Sequence, residues 1–290
     1  MIDTTTTRTL EVPGAVLTYD IRVNDSSTEP PLMIIGSPMA ASGFGQLASH
    51  LTDRTVVTYD PRGTERSKKT DGVIEITREQ HADDVHAVIQ AVGGGPVDLF
   101  ASSGGAVNAL ALVARYPNDV RTLVAHEPPD AMVLPDREEA MAAVRDLGAT
   151  YQRSGFGAGM AKFIAMTSHK GLFPADFANR PAPDPAMFGM PTEDDGSRDD
   201  PLLAQNLYTT IGYEPDFDAL KAAPTRIVVA AGAASEGQMA YRGAVAIAER
   251  LGTKPVIFPG GHGGFNKSEW DPSGDPEGFA AKLSEVLAAG

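Results

Sequence analysis

Short apolar runs alternate along most of the chain with segments in which apolar positions recur at helical spacing. Continuous apolar runs are typical of strands that are buried on both faces of a parallel sheet. The runs predict strands at Val16–Val23, Leu32–Gly36, Thr55–Tyr59, Val97–Ala101, Thr122–Ala125, Arg226–Ala230 and Pro255–Phe258. The helical spacing predicts helices near Phe44–Leu51, Arg78–Val92, Ala106–Tyr116, Gly237–Leu251 and Pro276–Ala289. This alternation indicates an α/β fold with a mostly parallel central sheet and helices on both faces.

The alternation is interrupted between residues 130 and 216. Helical patterns occur there at Arg137–Gln152 and Gly159–Thr167, whereas Asn179–Pro201 is dense in proline and acidic residues and predicts no regular element. Six of the ten methionines lie in this segment, together with five phenylalanines. We expect most of them to pack against the rest of the protein and several to line an apolar pocket.

We interpret residues 130–216 as an inserted lid, called the lid segment below, on a core formed by residues 1–129 and 217–290. The link between the first two predicted strands is too short for a helix. The sheet is therefore expected to open with an antiparallel hairpin.

Composition excludes several classes of protein. The net charge of −14 argues against nucleic acid and against an acidic membrane surface as partners. The absence of cysteine excludes disulfides, thiol catalysis and cysteine metal sites. No apolar run approaches the roughly 18 residues of a membrane span, and Met1–Val12 lacks the pattern of a secretion signal. A cytoplasmic protein is expected, and nothing in the pattern predicts an oligomeric state.

A strand, a sharp turn and a helix follow one another between Val97 and Tyr116, with Ala101-Ser102-Ser103-Gly104-Gly105 at the turn. This pattern predicts a nucleophile elbow, which presents a serine to a base. The bend requires small residues two positions before and after the nucleophile. Ser103 meets that requirement with Ala101 and Gly105, whereas Ser102 would place Phe100 in the turn. We therefore predict Ser103 as the nucleophile.

A serine nucleophile requires a base, an acid that orients the base, and donors for the oxyanion. His262 is the predicted base because it follows the last predicted strand within a loop that carries four glycines. Two carboxylates compete for the acid. Glu127 ends a buried strand and precedes two prolines, where an ionised group needs a partner. Glu236 follows another strand, but the macrodipole of the helix that follows also accounts for it.

The oxyanion donors are predicted to be backbone N–H groups. One belongs to Gly104, directly after the nucleophile. The other belongs to Ser37, in the turn after the strand Leu32–Gly36, since Pro38 has no N–H. The turn Asp60-Pro61-Arg62-Gly63 is interpreted as a buried ion pair or turn that braces the active-site loops.

The order and spacing of Gly36-Ser37-Pro38, Asp60-Pro61-Arg62-Gly63, Ala101 to Gly105 and Gly261-His262 resemble those of the α/β-hydrolase superfamily. The resemblance covers nearly the whole chain and implies a serine hydrolase with the α/β-hydrolase fold.

Within that superfamily the site resembles the zearalenone-lactonase type. Ser102-Ser103-Gly104 matches that group's elbow, and His126-Glu127-Pro128 matches the turn whose glutamate is its catalytic acid. The loop that usually carries the acid has Ser235 here in place of a carboxylate, and the same loop also lacks the acid in that group. The resemblance therefore implies Glu127 as the acid. It implies nothing about the substrate, because that group holds its substrate against a lid tryptophan and the single tryptophan here, Trp270, lies outside the lid segment.

These features predict an enzyme that cleaves a carboxylic ester or lactone of a small, largely apolar substrate through an acyl-enzyme. No metal or organic cofactor is expected. Two alternatives stay open. A relative that binds a small ligand without catalysis is favoured by the missing carboxylate at Ser235, and a cofactor-free perhydrolase would use the same serine.

Overall fold

The computed structural model describes residues 5–268 and 272–289, so Trp270 lies outside the described residues. The described part of the chain contains nine strands: β1 (Thr5–Val12), β2 (Ala15–Arg22), β3 (Leu32–Ile35), β4 (Val56–Asp60), β5 (Lys68–Lys69), β6 (Val97–Ser102), β7 (Val120–His126), β8 (Arg226–Gly232) and β9 (Val256–Phe258). Its α-helices are α1 (Gly45–Ser49), α2 (Arg78–Ala91), α3 (Gly104–Arg115), α4 (Arg137–Ser168), α5 (Leu207–Ile211), α6 (Phe217–Ala222), α7 (Met239–Arg250) and α8 (Pro276–Ala288).

The strands form one sheet in the order β1-β2-β4-β3-β6-β7-β8-β9, and β5 pairs antiparallel with the first two residues of β2. Every pairing within the series β4-β3-β6-β7-β8-β9 is parallel, which confirms the predicted mostly parallel sheet. The sheet does open with an antiparallel hairpin, but the predicted partners were wrong. The strand β2 pairs with β1 and β4 and not with β3. The sequence pattern missed β1 because its residues are polar and mostly exposed at the sheet edge.

Two hydrophobic clusters cover the two faces of the sheet. Alternate residues of each central strand enter different clusters, since successive strand side chains point to opposite faces. Leu99 and Leu123 pack with α2, α3 and α7 on one face. Phe100 and Val124 pack with α1 and α8 on the other face. The burial on both faces explains why the central strands read as continuous apolar runs.

Within the lid segment, α4 confirms the two predicted helical patterns but joins them. Its backbone leaves helical geometry at Gly155, where φ is 80° and ψ is −173°. A Cβ at this glycine would lie 2.3 Å from Asp194 Oδ1, so both the conformation and the space require glycine. The proline-rich stretch after α4 is largely irregular, as predicted, with a short 3₁₀ turn at Pro185–Phe188. In the part of the chain described, no helix is both long and apolar enough to cross a lipid bilayer.

A buried ion pair lies at the turn that follows β4. Arg62 Nε donates to Asp84 Oδ2 of α2 at 2.6 Å, and both side chains are buried. Asp60 is not the partner of Arg62. Its Oδ1 instead accepts the backbone N–H of Ala41, in the loop after β3, at 3.0 Å. The turn therefore contains the predicted ion pair, with a partner that the sequence did not indicate, and Asp60 holds a loop that leads to the site described next.

Candidate active site

Ser103 lies at the junction of β6 and α3 in a strained backbone conformation, with φ 57° and ψ −129°. A non-glycine residue in such a region typically costs about 1–3 kcal/mol and is common at functional sites. Ser103 occupies the N-cap position of α3, but its hydroxyl makes no capping hydrogen bond. The hydroxyl is therefore left available for other chemistry.

The two glycines after Ser103 allow the elbow to press against the end of β3. A Cβ at Gly104 would lie 2.4 Å from the carbonyl oxygen of Ser37. A Cβ at Gly105 would lie 2.7 Å from the carbonyl oxygen of Ile35. These approaches exclude any side chain at either position, so the small residues in the motif have a direct steric cause.

Glu127 follows the last residue of β7 and is fully buried. Its Oε2 lies 2.7 Å from His262 Nδ1. Its Oε1 accepts the backbone N–H of Gly232 at 2.8 Å and the hydroxyl of Ser235. Both carboxylate oxygens therefore have partners, as a buried charge requires.

Two opposing effects set the pKa of Glu127. Burial alone raises the pKa, because it disfavours the charged form. The hydrogen bond and charge of His262 lower it, with smaller contributions from His126 and Ser235. The lowering effects win and bring the pKa to about 2. Glu127 is thus a carboxylate at neutral pH in spite of its burial.

His262 stands in the glycine-rich loop between β9 and α8, and its side chain is 41 % exposed. The loop rests on the end of β8, since a Cβ at Gly232 would lie 2.6 Å from the carbonyl oxygen of Gly261. An ionised carboxylate only accepts hydrogen bonds, so Nδ1 of His262 is assigned the proton that it shares with Glu127. Its Nε2 then carries the lone pair that a general base needs.

A cavity of about 340 Å³ joins these residues. Ser103 and His262 both line it, together with Ser37 and Gly104. No direct hydrogen bond joins Ser103 to His262 among residues 5–268 and 272–289. Such contacts are often long without substrate and shorten in the reacting complex. The predicted nucleophile, base and oxyanion donors therefore share one cavity, with Glu127 directly behind the base.

The cavity wall is apolar and almost free of charge. Its lining comes from the elbow, the loops after β3, β7 and β9, the end of α4, residues 202–211 and the start of α7: Ser37, Pro38, Met39, Ser102, Ser103, Gly104, Pro129, Phe163, Thr167, Ser168, Leu202, Leu207, Thr210, Ile211, Gln238, Met239, Ala240, His262, Gly263 and Phe265. Among these residues only His262 is ionisable. The cavity therefore favours a small neutral molecule.

The expectation that several methionines and phenylalanines of the lid segment line the pocket was wrong. Of the eleven methionines and phenylalanines in that segment, only Phe163 is among the lining residues. The methionines at the cavity are Met39 and Met239, which lie outside the lid segment. The lid methionines instead pack against other side chains or face solvent, as Met166 and Met187 illustrate.

The other candidate residues, Glu236 and His126, do not line the cavity. Glu236 is exposed and makes no hydrogen bond to His262. His126 is fully buried, and its ring lies 5.3 Å from that of Phe279. Burial lowers the pKa of His126 to about 4, with Glu127 opposing and His262 adding to the shift. His126 is therefore a neutral core residue and not a base that reaches the cavity.

Sequence reasoning treated Ser235 only as a missing carboxylate. In the structure its hydroxyl contacts the carboxylate of Glu127. The contact joins residues 108 positions apart, so no local motif indicates it. Within the described residues, no group of three or more histidine, aspartate or glutamate side chains is arranged to hold a metal ion.

Comparisons with known proteins agree with this architecture. The chain matches the family described as alpha/beta hydrolase fold over residues 32–228. It is 31% identical over 264 residues to the uncharacterized hydrolase YraK of Bacillus subtilis (strain 168), an alignment that covers 89% of each chain.

Solved structures share the fold at lower identity. The carboxylesterase CesB (YbfK) from Bacillus subtilis has a TM-score of 0.65 at 16% identity, with 99% of this chain and 93% of that chain covered. A thermophilic esterase from Thermogutta terrifontis has a TM-score of 0.64 at 20% identity, with 99% and 98% covered. Fold, sequence family and relatives agree, and the chain is therefore a hydrolase that belongs to the α/β-hydrolase family.

Proposed function

We propose that the protein is a serine hydrolase that cleaves a small, uncharged carboxylic ester or lactone through an acyl-enzyme. One observation carries the proposal. A strained serine and an imidazole that is paired with a buried carboxylate line the same cavity. This combination of residue types supports nucleophilic catalysis on a carbonyl carbon.

In the proposed reaction, Nε2 of His262 accepts the proton of the Ser103 hydroxyl as its oxygen attacks the carbonyl carbon. The backbone N–H groups of Ser37 and Gly104 stabilise the oxyanion. His262 then donates the proton to the departing alkoxide oxygen, which leaves an acyl-enzyme on Ser103. Water attacks the acyl group with His262 as base, and the acid is released. Glu127 holds the imidazole and stabilises its charged form.

The lining of the cavity supports the proposed substrate class. An acyl or alkyl group can bury its apolar surface against residues such as Phe163 and Leu207, at a gain of about 25 cal/mol per Å². A charged group would lose its hydration without finding an ionic partner on the wall. The volume of about 340 Å³ limits the substrate to a small molecule.

The resemblance to the zearalenone-lactonase type supports Glu127 as the acid and keeps lactones among the candidate substrates. The contact between Glu127 and His262 also weakens the non-catalytic alternative, which relied on the missing carboxylate at Ser235. Perhydrolysis would use the same acyl-enzyme with hydrogen peroxide in place of water.

The test compares wild type with Ser103→Ala on p-nitrophenyl acetate, butyrate and octanoate and on simple lactones. We expect the variant to lose turnover and to keep the thermal stability of the wild type. Retained turnover in Ser103→Ala would refute the nucleophile.

The singly charged p-nitrophenyl hemisuccinate resembles the butyrate ester in length and tests the preference for neutral substrates. We expect kcat/KM for this anionic ester to be lower by about tenfold or more, since its carboxylate must enter an apolar cavity. Equal turnover of the two esters would contradict the assignment of an uncharged substrate.

A further inference from the structure

Ser235 lies three residues beyond the end of β8, in a single 3₁₀ turn, and is 1 % exposed. Two acceptors are within reach of its one hydroxyl hydrogen. These are Glu127 Oε1 and, at 3.0 Å, the carbonyl oxygen of Gly232. A carboxylate is the stronger acceptor. The hydroxyl is therefore assigned as a donor to Glu127.

The contact completes the hydrogen bonding of the carboxylate. Oε1 of Glu127 receives Ser235 and the N–H of Gly232, and Oε2 receives His262. A glutamate side chain has three rotatable bonds, and donors on both oxygens restrict the rotamer that faces the imidazole. Ser235 does not line the cavity, and among the described residues its hydroxyl is hydrogen-bonded only to Glu127 and Gly232, so the loss of this hydroxyl should act on the reaction through Glu127.

We propose that Ser235 is a positioning residue, whose hydroxyl fixes the orientation and charge of the Glu127 carboxylate behind His262. The proposal rests on the proposed function, because it assigns Ser235 a role in the same reaction. It also explains why a serine is suited to this position. A carboxylate at position 235 would lie within hydrogen-bonding distance of the carboxylate of Glu127. Two buried carboxylates in contact would share a proton, so an uncharged donor preserves the full charge of Glu127.

The test compares Ser235→Ala with Ser235→Thr, which keeps the hydroxyl. Ser49→Ala is the matched control, since it removes the same atom from an exposed serine whose hydroxyl reaches only the carbonyl oxygen of Gln46 at 2.7 Å. We expect Ser235→Ala to lower kcat for p-nitrophenyl butyrate about tenfold, as the loss of one hydrogen bond to a charged group predicts. KM should stay unchanged because Ser235 does not line the cavity.

The pH profile separates positioning from a general loss of structure. The hydroxyl of Ser235 helps to lower the pKa of Glu127, so its removal raises that pKa. The acidic limb of the kcat profile follows protonation of the general base, and a less firmly held carboxylate stabilises the charged form of that base less, so the limb should move to lower pH in Ser235→Ala. Ser235→Thr should recover most of the lost kcat and the position of the limb, and Ser49→Ala should match wild type in both.

Three results would overturn the proposed role of Ser235. A wild-type kcat and an unmoved acidic limb in Ser235→Ala would overturn the positioning role, as would a loss confined to KM. If Ser235→Thr does not fold, the pH profile of Ser235→Ala alone decides. Turnover that survives Ser103→Ala would instead overturn the proposed function, and the role of Ser235 would fall with it.

Discussion

The burial of Asp130 should make the free energy of unfolding fall as the pH rises, and the substitution Asp130→Asn should remove this effect. The side chain is fully buried directly after Pro128 and Pro129. Its Oδ1 accepts the N–H of Met132 at 2.8 Å, and its Oδ2 has no hydrogen-bond partner among the described residues. Burial raises the pKa of Asp130 to about 8, against smaller lowering effects from the Met132 N–H and Arg250. Asp130 is therefore protonated in the folded protein near neutral pH.

The direction of the pH dependence follows from proton counting. The unfolded chain releases this proton above about pH 4, whereas the folded chain keeps it up to about pH 8. Between these values the unfolded state binds fewer protons, so the free energy of unfolding falls as the pH rises. The slope from one such group is about 1.4 kcal/mol per pH unit. From pH 5 to pH 7 the loss attributable to Asp130 is therefore about 3 kcal/mol.

Urea unfolding of wild type and Asp130→Asn at pH 5, 6 and 7, followed by circular dichroism, measures the contribution of Asp130 to the pH dependence of the free energy of unfolding. Asparagine has the shape of the neutral acid but does not titrate, so the stability of the variant relative to wild type should rise by about 3 kcal/mol across the series. Any fixed cost of the new amide cancels in the comparison between pH values. Asp25→Asn, at an exposed position, is the control and should give a constant difference. A constant difference for Asp130→Asn as well would contradict a raised pKa of Asp130 in the folded protein.

The remaining predictions concern the site. Glu127→Gln should lower kcat by on the order of 10⁴, because a neutral amide cannot stabilise the imidazolium, whereas Glu236→Gln should not change kcat. Esterase kinetics on both variants decide this, and a loss confined to Glu236→Gln would reverse the assignment. Gly104→Ala should lower kcat about 10²–10³-fold, since its Cβ would lie 2.4 Å from the Ser37 carbonyl oxygen and displace an oxyanion donor. An unchanged kcat in Gly104→Ala would contradict the donor assignment. A Cβ at Gly45 in α1 would meet no atom within 4 Å, so Gly45→Ala should raise the free energy of unfolding by about 0.4–1 kcal/mol, which thermal unfolding measures.

Most of the sheet could be predicted because its central strands are buried on both faces. The run Val97–Ala101, for example, becomes β6, which extends one residue further. The edge strands could not be predicted in this way. β1 is polar and exposed, and β5 has only two residues, so neither carries an apolar run.

The elbow at Ser103 could be predicted because the steric demand on its neighbours is local. The pairing of His262 with Glu127 joins residues 135 positions apart. The sequence favoured Glu127 because a carboxylate at the end of a buried strand needs a partner, and the resemblance to known hydrolases strengthened that choice. The cavity wall could not be predicted, because its position depends on a buried polar network. Arg78 of α2 donates to Asn206 Oδ1 and to Thr209 Oγ1, each at 2.9 Å, and so anchors the segment that contributes Leu202 to Ile211 to the wall.

The central claim is that Ser103 is a nucleophile activated by His262. The most direct measurement is labelling with a fluorophosphonate, followed by intact mass spectrometry and peptide mapping. We expect a single adduct on the Ser103 hydroxyl, formed much more slowly in His262→Ala and absent in Ser103→Ala. An unlabelled wild-type protein, or an adduct that persists in Ser103→Ala, would contradict this claim.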